Sequence, residues 1–207
     1  MPIIEDAKAL FEKLTGHRRP DGKIVRSLIR HRKAGCFFFA DDGNTPNNPE
    51  LPLIVYRSPV RLSDELDPAA IFEVLFARNG WTDSWRDGVY GFLHFHTQTH
   101  EVLGIARGRV RVQFGGKHGR VVALKAGDVA VLPAGTGHQR KSATRDLLVV
   151  GAYPKGGKYD EPAPREVAHE QAIRSIEAVP RPRTDPVYGR DGPLLRRWKQ
   201  RKPAGRR

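Results

Sequence analysis

The chain has 207 residues, of which 39% are apolar; this is enough to bury one sizeable core, so we expect one domain with appendages. No apolar run approaches the roughly 20 residues that span a bilayer, and residues 1–6 lack the basic and apolar regions of a signal peptide, so we expect a soluble cytoplasmic protein with no membrane segment. The net charge of +13 lies in the two ends: residues 1–35 carry +5, residues 181–207 carry +8, and residues 36–180 are neutral, which argues against a body built to bind phosphate.

The N-terminal residues 1–35 are predicted to form a basic, partly helical extension. Residues 3–14 place apolar side chains at helical spacing, with acids early and lysines later, as the helix dipole favours. Residues 24–29 are compatible with a second short helix. We interpret this extension, together with a basic disordered tail at residues 196–207, as solvated termini. Salt-sensitive contact with nucleic acid or another acidic partner is the alternative interpretation.

Strand and turn signals begin at residue 36. Residues 36–40 form an apolar run that includes the single cysteine, Cys36, which we interpret as a buried small hydrophobe. Residues 41–52 are rich in Asp, Asn, Gly and Pro, which favour turns through local hydrogen bonds and restricted φ angles. Residues 53–56 are predicted to form the next strand.

The best-supported helix of the sequence lies at residues 68–79. Its apolar side chains recur at helical spacing, and it follows Asp67 as the cap and Pro68 in the first turn. Gly80 then provides the stop signal. This pattern predicts one helix in front of the region where strands predominate.

Short apolar stretches separated by turn residues follow this helix. They lie at residues 89–96, 101–107, 109–114, 120–124, 128–132 and 147–153. Apolar and polar residues alternate through 109–114, so one side of that strand faces a core, and residues 115–119 supply a hairpin turn. Closely spaced strands without intervening helices predict an all-β, antiparallel barrel or sandwich at residues 36–160. We expect residues 161–195 to pack on it.

A cluster of histidines within these strands carries the candidate chemistry. On a strand, His94 and His96 project from the same face, and two neutral imidazoles side by side can chelate one cation. Glu101 begins the next strand beside them, and the turn at residues 133–137 can bring His138 across. Three nitrogens and one oxygen would leave room on the cation for water or a substrate.

The spacing of these residues resembles the two motifs of the cupin superfamily. The first motif is matched by Gly88, His94, His96, Glu101 and Gly108, and the second by Gly127, Pro133, Gly135 and His138. The residue that closes the second motif is Ser142 here, where the family usually has Asn. The stretches 41–49, 79–86, 151–154 and 184–189 also resemble the bacterial YjlB-like cupins, for which no reaction can be carried over.

The resemblance implies a cupin-type antiparallel β-barrel, which is a double-stranded β-helix or jelly-roll, with a metal site formed by His94, His96, Glu101 and His138. It also implies a homodimer, since cupins commonly pair through barrel edges. The nitrogen and oxygen donors favour iron or manganese, with nickel and zinc as alternatives.

Several neighbouring side chains have two interpretations. His100 adjoins Glu101 and replaces a ligand only if the turn is distorted, because strand alternation aims it away from the face of Glu101. His118 lies in a hairpin tip and is predicted to be exposed. Trp81, Trp85 and Tyr90 either line the barrel mouth or pack in the core.

Three hypotheses for the function follow. The leading one is a metal-dependent enzyme acting on a small molecule, of dioxygenase, isomerase, decarboxylase or lyase type, with no separate catalytic acid–base pair identified. The alternative is a non-catalytic cupin that binds or senses a small ligand. A third hypothesis makes the basic arms primary, as contacts to nucleic acid or an acidic partner, although no helix-turn-helix pattern accompanies the barrel.

Overall fold

A computed structural model describes residues 18–160 and 168–199 of the chain. The helix predicted at residues 3–14 lies outside these ranges, as do residues 161–167 and 200–207. Within the described ranges, no helix is long and apolar enough to cross a membrane.

The described residues form nine strands and four helices. The strands are β1 (Ala34–Phe37), β2 (Leu53–Tyr56), β3 (Trp81–Asp87), β4 (Glu101–Arg107), β5 (Arg109–Phe114), β6 (Arg120–Lys125), β7 (Val129–Leu132), β8 (His138–Ala143) and β9 (Leu148–Pro154). The helices are α1 (Gly22–Ser27), α2 (Pro68–Arg78), α3 (His169–Glu177) and α4 (Pro193–Arg197).

The strands form two antiparallel sheets. The larger has the order β1-β2-β7-β4-β9-β3, and the smaller has the order β6-β5-β8. All strand pairs in both sheets are antiparallel, and most neighbours in the sheets are distant in sequence. The expected cupin-type antiparallel jelly-roll is therefore confirmed.

The large sheet is covered on both faces. Strand β2 shows the division, because Leu53 and Val55 belong to the core shared with the small sheet, whereas Ile54 and Tyr56 face a second core. That second core is built from the large sheet, helix α2 and the C-terminal segment. Burial on both faces explains why the inner strands lack the apolar–polar alternation that predicts half-buried strands.

Helix α2 matches the predicted helix closely. Its N-cap is Asp67, whose carboxylate accepts a hydrogen bond from the Ala69 N–H over 2.9 Å. The apolar face of the helix, which includes Phe72 and Phe76, is fully buried. The helix ends with Asn79 as its C-cap, one residue before Gly80.

The structure differs from the sequence prediction at three strands. Residues 89–96 form no strand; His94 makes only an isolated antiparallel bridge to His138. Strand β3 was not predicted, because a bulge between Thr82 and Trp85 interrupts its alternation. Strand β8 was also missed, because it lies at the edge of the small sheet and its side chains beyond His138 are exposed or half-buried.

The C-terminal segment is held to the large sheet by a buried carboxylate. Asp185 is fully buried and accepts hydrogen bonds from the Tyr56 hydroxyl at 2.5 Å and from the Leu194 N–H at 3.1 Å. Burial first, and the charge on Asp185 second, raise the pKa of Tyr56, so its hydroxyl remains a donor. The sequence assigns residues 196–199 to the tail, but Arg196 and Arg197 belong to helix α4. Trp198 is the C-cap of this helix and is buried, with its Nε1–H donating to Pro52 O.

We predict that Asp185→Ala lowers the free energy of unfolding by about 3 kcal/mol, because the buried Tyr56 hydroxyl and the Val187 N–H lose their acceptor. Chemical denaturation would measure the change. Asp191→Ala is the matched control, since Asp191 is exposed, and it should change stability by less than about 0.5 kcal/mol. Equal effects of the two substitutions would contradict the anchoring role.

Candidate metal centre

Two backbone hydrogen bonds bring the halves of the site together. The His94 N–H donates to His138 O over 3.2 Å, and the His138 N–H donates to His94 O over 2.9 Å. His138 is the first residue of β8 in the small sheet, and Glu101 is the first residue of β4 in the large sheet. The site therefore lies where the two sheets meet.

Three of the four predicted ligands form a compact cluster of ring nitrogens. One ring nitrogen from each of His94, His96 and His138 lies within 4.8 Å of the others, and all three side chains are buried. This triad could hold a metal ion.

Glu101 lies against two members of the triad. Its Oε2 is 3.3 Å from His96 Nε2 and 3.5 Å from His138 Nε2. Neither Glu101 Oε2 nor His96 Nε2 has a hydrogen-bond partner in the described part of the chain, although both are buried. Buried polar atoms that converge without hydrogen bonds are costly, and a cation between them would remove that cost. The residues present therefore fit a divalent metal.

The second nitrogen of each imidazole faces a backbone carbonyl. His138 Nδ1 is 3.0 Å from Thr136 O, and His94 Nδ1 is 3.3 Å from Phe92 O. His96 Nδ1 contacts the Asp160 carbonyl. A proton on Nδ1 satisfies these carbonyls and leaves the Nε2 lone pair for a metal, which is the usual arrangement around ligating histidines.

Asp160 is a supporting residue that the sequence did not identify. Its carboxylate accepts hydrogen bonds from the Thr97 N–H at 3.0 Å, the Thr97 hydroxyl at 2.6 Å and the Gln98 N–H at 3.0 Å. It thereby joins the turn after His96 to the segment after β9. No local pattern marks this role, because the contacts form only when distant segments meet.

The electrostatics of the site favour a positive charge beside Glu101. Burial would lower the pKa of His96, but the Glu101 carboxylate outweighs it and raises that pKa to about 9. Burial would raise the pKa of Glu101, but His96 holds it below its usual value. Burial first, and His94 second, lower the pKa of His138 to about 3, so this ring is neutral. The raised pKa of His96 means that this ring keeps a second proton beside Glu101 in the absence of a cation, and a bound metal would replace that proton.

The turn that delivers His138 is supported by the polar stretch at residues 41–49. Gly135 has φ +88°, and a Cβ there would lie 2.4 Å from Asn47 O, so no larger residue fits this turn. The Asn47 side chain accepts from the Gly137 N–H at 3.2 Å and donates to Ala40 O at 2.7 Å. The Asn-rich segment thus positions the second half of the site.

A cavity of about 480 Å³ opens onto this cluster. Its walls include Trp85, Val89, Leu103 and Tyr153. Trp85 packs on Gly151, where a Cβ would lie 2.0 Å from its Cε2 atom. A mostly apolar wall beside a few polar groups is typical of a small-molecule site.

The other histidines and aromatic residues near the site lie in three different environments. His100 Nδ1 accepts from the Ala134 N–H at 2.9 Å and its ring packs on Trp198, so it is outside the histidine cluster. His118 is exposed, as predicted. Trp81 is buried in the core, whereas Trp85 and Tyr90 line the cavity.

Comparison with known proteins found one curated relative. The chain is 38% identical over 167 residues to a Bacillus subtilis (strain 168) protein described as "Uncharacterized protein YjlB", and the match covers 81% of this chain and 98% of that protein. No protein-family model matches the chain.

The solved structures that resemble the chain are more distant. A mutant of Bacillus subtilis oxalate decarboxylase is 20% identical, with a TM-score of 0.34 over 56% of this chain, and the chain spans only 28% of its length. Acireductone dioxygenase from Bacillus anthracis, with a cadmium ion in its active centre, is also 20% identical, with a TM-score of 0.32; the match covers 47% of this chain and 71% of that one.

We predict that Asp160→Ala weakens metal binding by about tenfold or more while leaving the fold intact, because it releases the turn that orients His96. Calorimetric titration of chelator-treated protein with Mn²⁺ would measure this. Asp64→Ala, at an exposed carboxylate, is the control and should bind Mn²⁺ as the unaltered chain does. An unchanged Mn²⁺ affinity in Asp160→Ala would refute the supporting role.

Proposed function

We infer that this chain, which belongs to the YjlB-like cupin family, is a metal-dependent enzyme acting on a small molecule. One observation carries the inference. A buried cluster of three imidazoles and one carboxylate, with Glu101 Oε2 and His96 Nε2 lacking hydrogen-bond partners among the described residues, faces a cavity of about 480 Å³. We propose that His94, His96, Glu101 and His138 together bind the metal.

The donor set guides the choice of metal. Three nitrogens and one oxygen suit iron or manganese better than a soft cation, while nickel and zinc accept the same donors. When bound, such a cation would supply Lewis-acid or redox chemistry at the wall of the cavity.

The side chains that line the cavity determine which kind of substrate can bind there. Trp85, Val89 and Leu103 present apolar surface. Arg86 also lines the cavity, but its guanidinium is bound by Glu73 at 2.6 and 2.9 Å and by Asp67 at 3.0 Å, so its charge is already neutralised. We therefore propose a small, largely apolar substrate with one polar oxygen-bearing end.

Tyr153 is the group best placed to hold a proton in this cavity. Its hydroxyl accepts from Trp85 Nε1–H at 2.8 Å, and in the absence of substrate its own O–H faces the Glu101 carboxylate. Burial first, and the charge of Glu101 second, raise the pKa of Tyr153, so the phenol stays protonated at neutral pH. We propose that it donates a hydrogen bond that orients the substrate.

The proposal includes a homodimer in the cytoplasm. Strand β1 is an edge of the large sheet, and Phe38, next to its end, is 65% exposed, which suits a covered edge in a dimer. The half-buried thiol of the single cysteine, Cys36, suits a reducing compartment.

We predict that natively purified protein contains a divalent transition metal and that His96→Ala lowers metal affinity more than about 100-fold, because it removes a direct ligand. Elemental analysis and metal titration would test this, with His118→Ala as the matched control at an exposed histidine. Glu101→Gln, which preserves volume, serves if His96→Ala does not fold. Protein with neither bound metal nor measurable metal affinity would contradict the proposed metal site.

We further predict that the metal-replete protein converts a compound in a metabolite screen, and that Tyr153→Phe lowers kcat without reducing metal content. The phenol holds the substrate and does not contact the metal directly in this proposal. Mass spectrometry of the reaction would detect the product. A compound that binds tightly and is never converted would contradict the proposed enzymatic function and would indicate a ligand-binding cupin.

A further inference from the structure

A second cavity adjoins the metal cavity. Its volume is about 1220 Å³, and it is lined by the end of helix α2, residues 98–100, the loop at residues 154–158 and residues 179–184 and 189–190 of the C-terminal segment. Gly157 lines both cavities, so the loop after β9 separates them. Nothing in the proposed chemistry at the metal uses this second space.

The lining of this cavity is strongly basic. Six of its side chains carry a positive charge: Arg78, Lys155, Lys158, Arg181, Arg183 and Arg190. Among the described lining residues there is no Asp or Glu. Arg181 is paired with Glu50 at 2.7 Å, whereas the other five form no ion pair with a carboxylate in the part of the chain that the structure describes. Cations gathered in a concave surface attract anions strongly.

A buried ring nitrogen, His100 Nε2, also borders this cavity. His100 is 1% exposed, and its Nδ1 accepts from the Ala134 N–H, so the ring proton is on Nε2. The Pro180 carbonyl lies near the ring, but Nε2 has no hydrogen bond of normal geometry within the described ranges. A ligand oxygen would satisfy this donor.

We propose that this cavity binds a small molecule bearing two or more phosphate groups. Five cations that pair with no carboxylate of residues 18–160 and 168–199 exceed what one carboxylate ligand requires, and a polyphosphate supplies both the charge and the acceptor oxygens. No Phe, Tyr or Trp is found among the described lining residues and the His100 ring is buried against Trp198, so the cavity lacks open platforms on which nucleic-acid bases stack. Its concave form likewise favours a small molecule over a long strand.

The first experiment is calorimetric titration of the full chain, in its metal-replete form, with inorganic pyrophosphate at physiological ionic strength. We expect saturable binding, and a Kd at least about tenfold weaker in the double variants Lys155→Ala/Lys158→Ala and Arg183→Ala/Arg190→Ala. The charge-matched control is Arg109→Ala/Arg111→Ala on the exposed side of β5, which should keep the Kd within about twofold.

A second measurement avoids substitutions altogether. In the unaltered chain, pyrophosphate should protect the backbone amides of residues 155–158 from hydrogen exchange, because these residues border the cavity. The same binding should persist in His96→Ala, so the loss of the metal site and the loss of this site are distinguishable.

Three results would overturn the proposal: no pyrophosphate binding at physiological ionic strength, equal weakening in the control variant, or absence of protection at the loop. A single-stranded oligonucleotide that binds more tightly than pyrophosphate and is weakened equally in all double variants would indicate a diffuse nucleic-acid surface instead.

Discussion

The pair of reciprocal hydrogen bonds between His94 and His138 is the constraint on which the site depends. It joins an irregular segment before β4 to the first residue of β8, and so connects the two sheets at the point where Glu101 begins its strand. His94, His138 or Glu101 alone would present a single metal-ligating atom to a mostly apolar interior. Together they form a buried polar cluster that is costly without a cation and suited to one.

The support around this cluster explains features that are otherwise puzzling in the chain. The polar stretch at residues 41–49 is exposed at both ends but buried at residues 45–48, where Asn47 holds the turn that leads to His138. Asp160 plays the corresponding role for His96, from the segment that follows β9. The two halves of the site are thus held by segments that precede and follow the strands carrying the ligands.

The loop at residues 155–160 lies between the two cavities. On one side, the Tyr159 ring packs against the His96 ring, and the Asp160 carbonyl contacts His96 Nδ1. On the other side, Lys155 and Lys158 line the basic cavity. A short segment therefore borders both the metal cluster and the concentration of positive charge, which gives the fold two chemically distinct faces on either side of one loop.

The sequence by itself determined the fold class and helix α2 and predicted the four residues of the candidate site, because their signals are local: strand runs, an Asp67 cap with Pro68, and motif spacing. It favoured an orientation of His100 away from Glu101, since adjacent residues on a strand face opposite sides, and left ligation by His100 open; the structure places this ring outside the histidine cluster. Composition placed the basic excess in the arms. Only the tertiary structure decided that Arg181, Arg183 and Arg190 fold back with Lys155 and Lys158 around one cavity.

Tertiary structure alone also decided strands β3 and β8, the support from Asp160 and Asn47, and the burial of Trp198. The physical reason is common to all of these. A bulged strand, an exposed edge strand and a buried carboxylate are stabilised by partners far away in the chain, and a local pattern of apolar and polar residues carries no information about those partners.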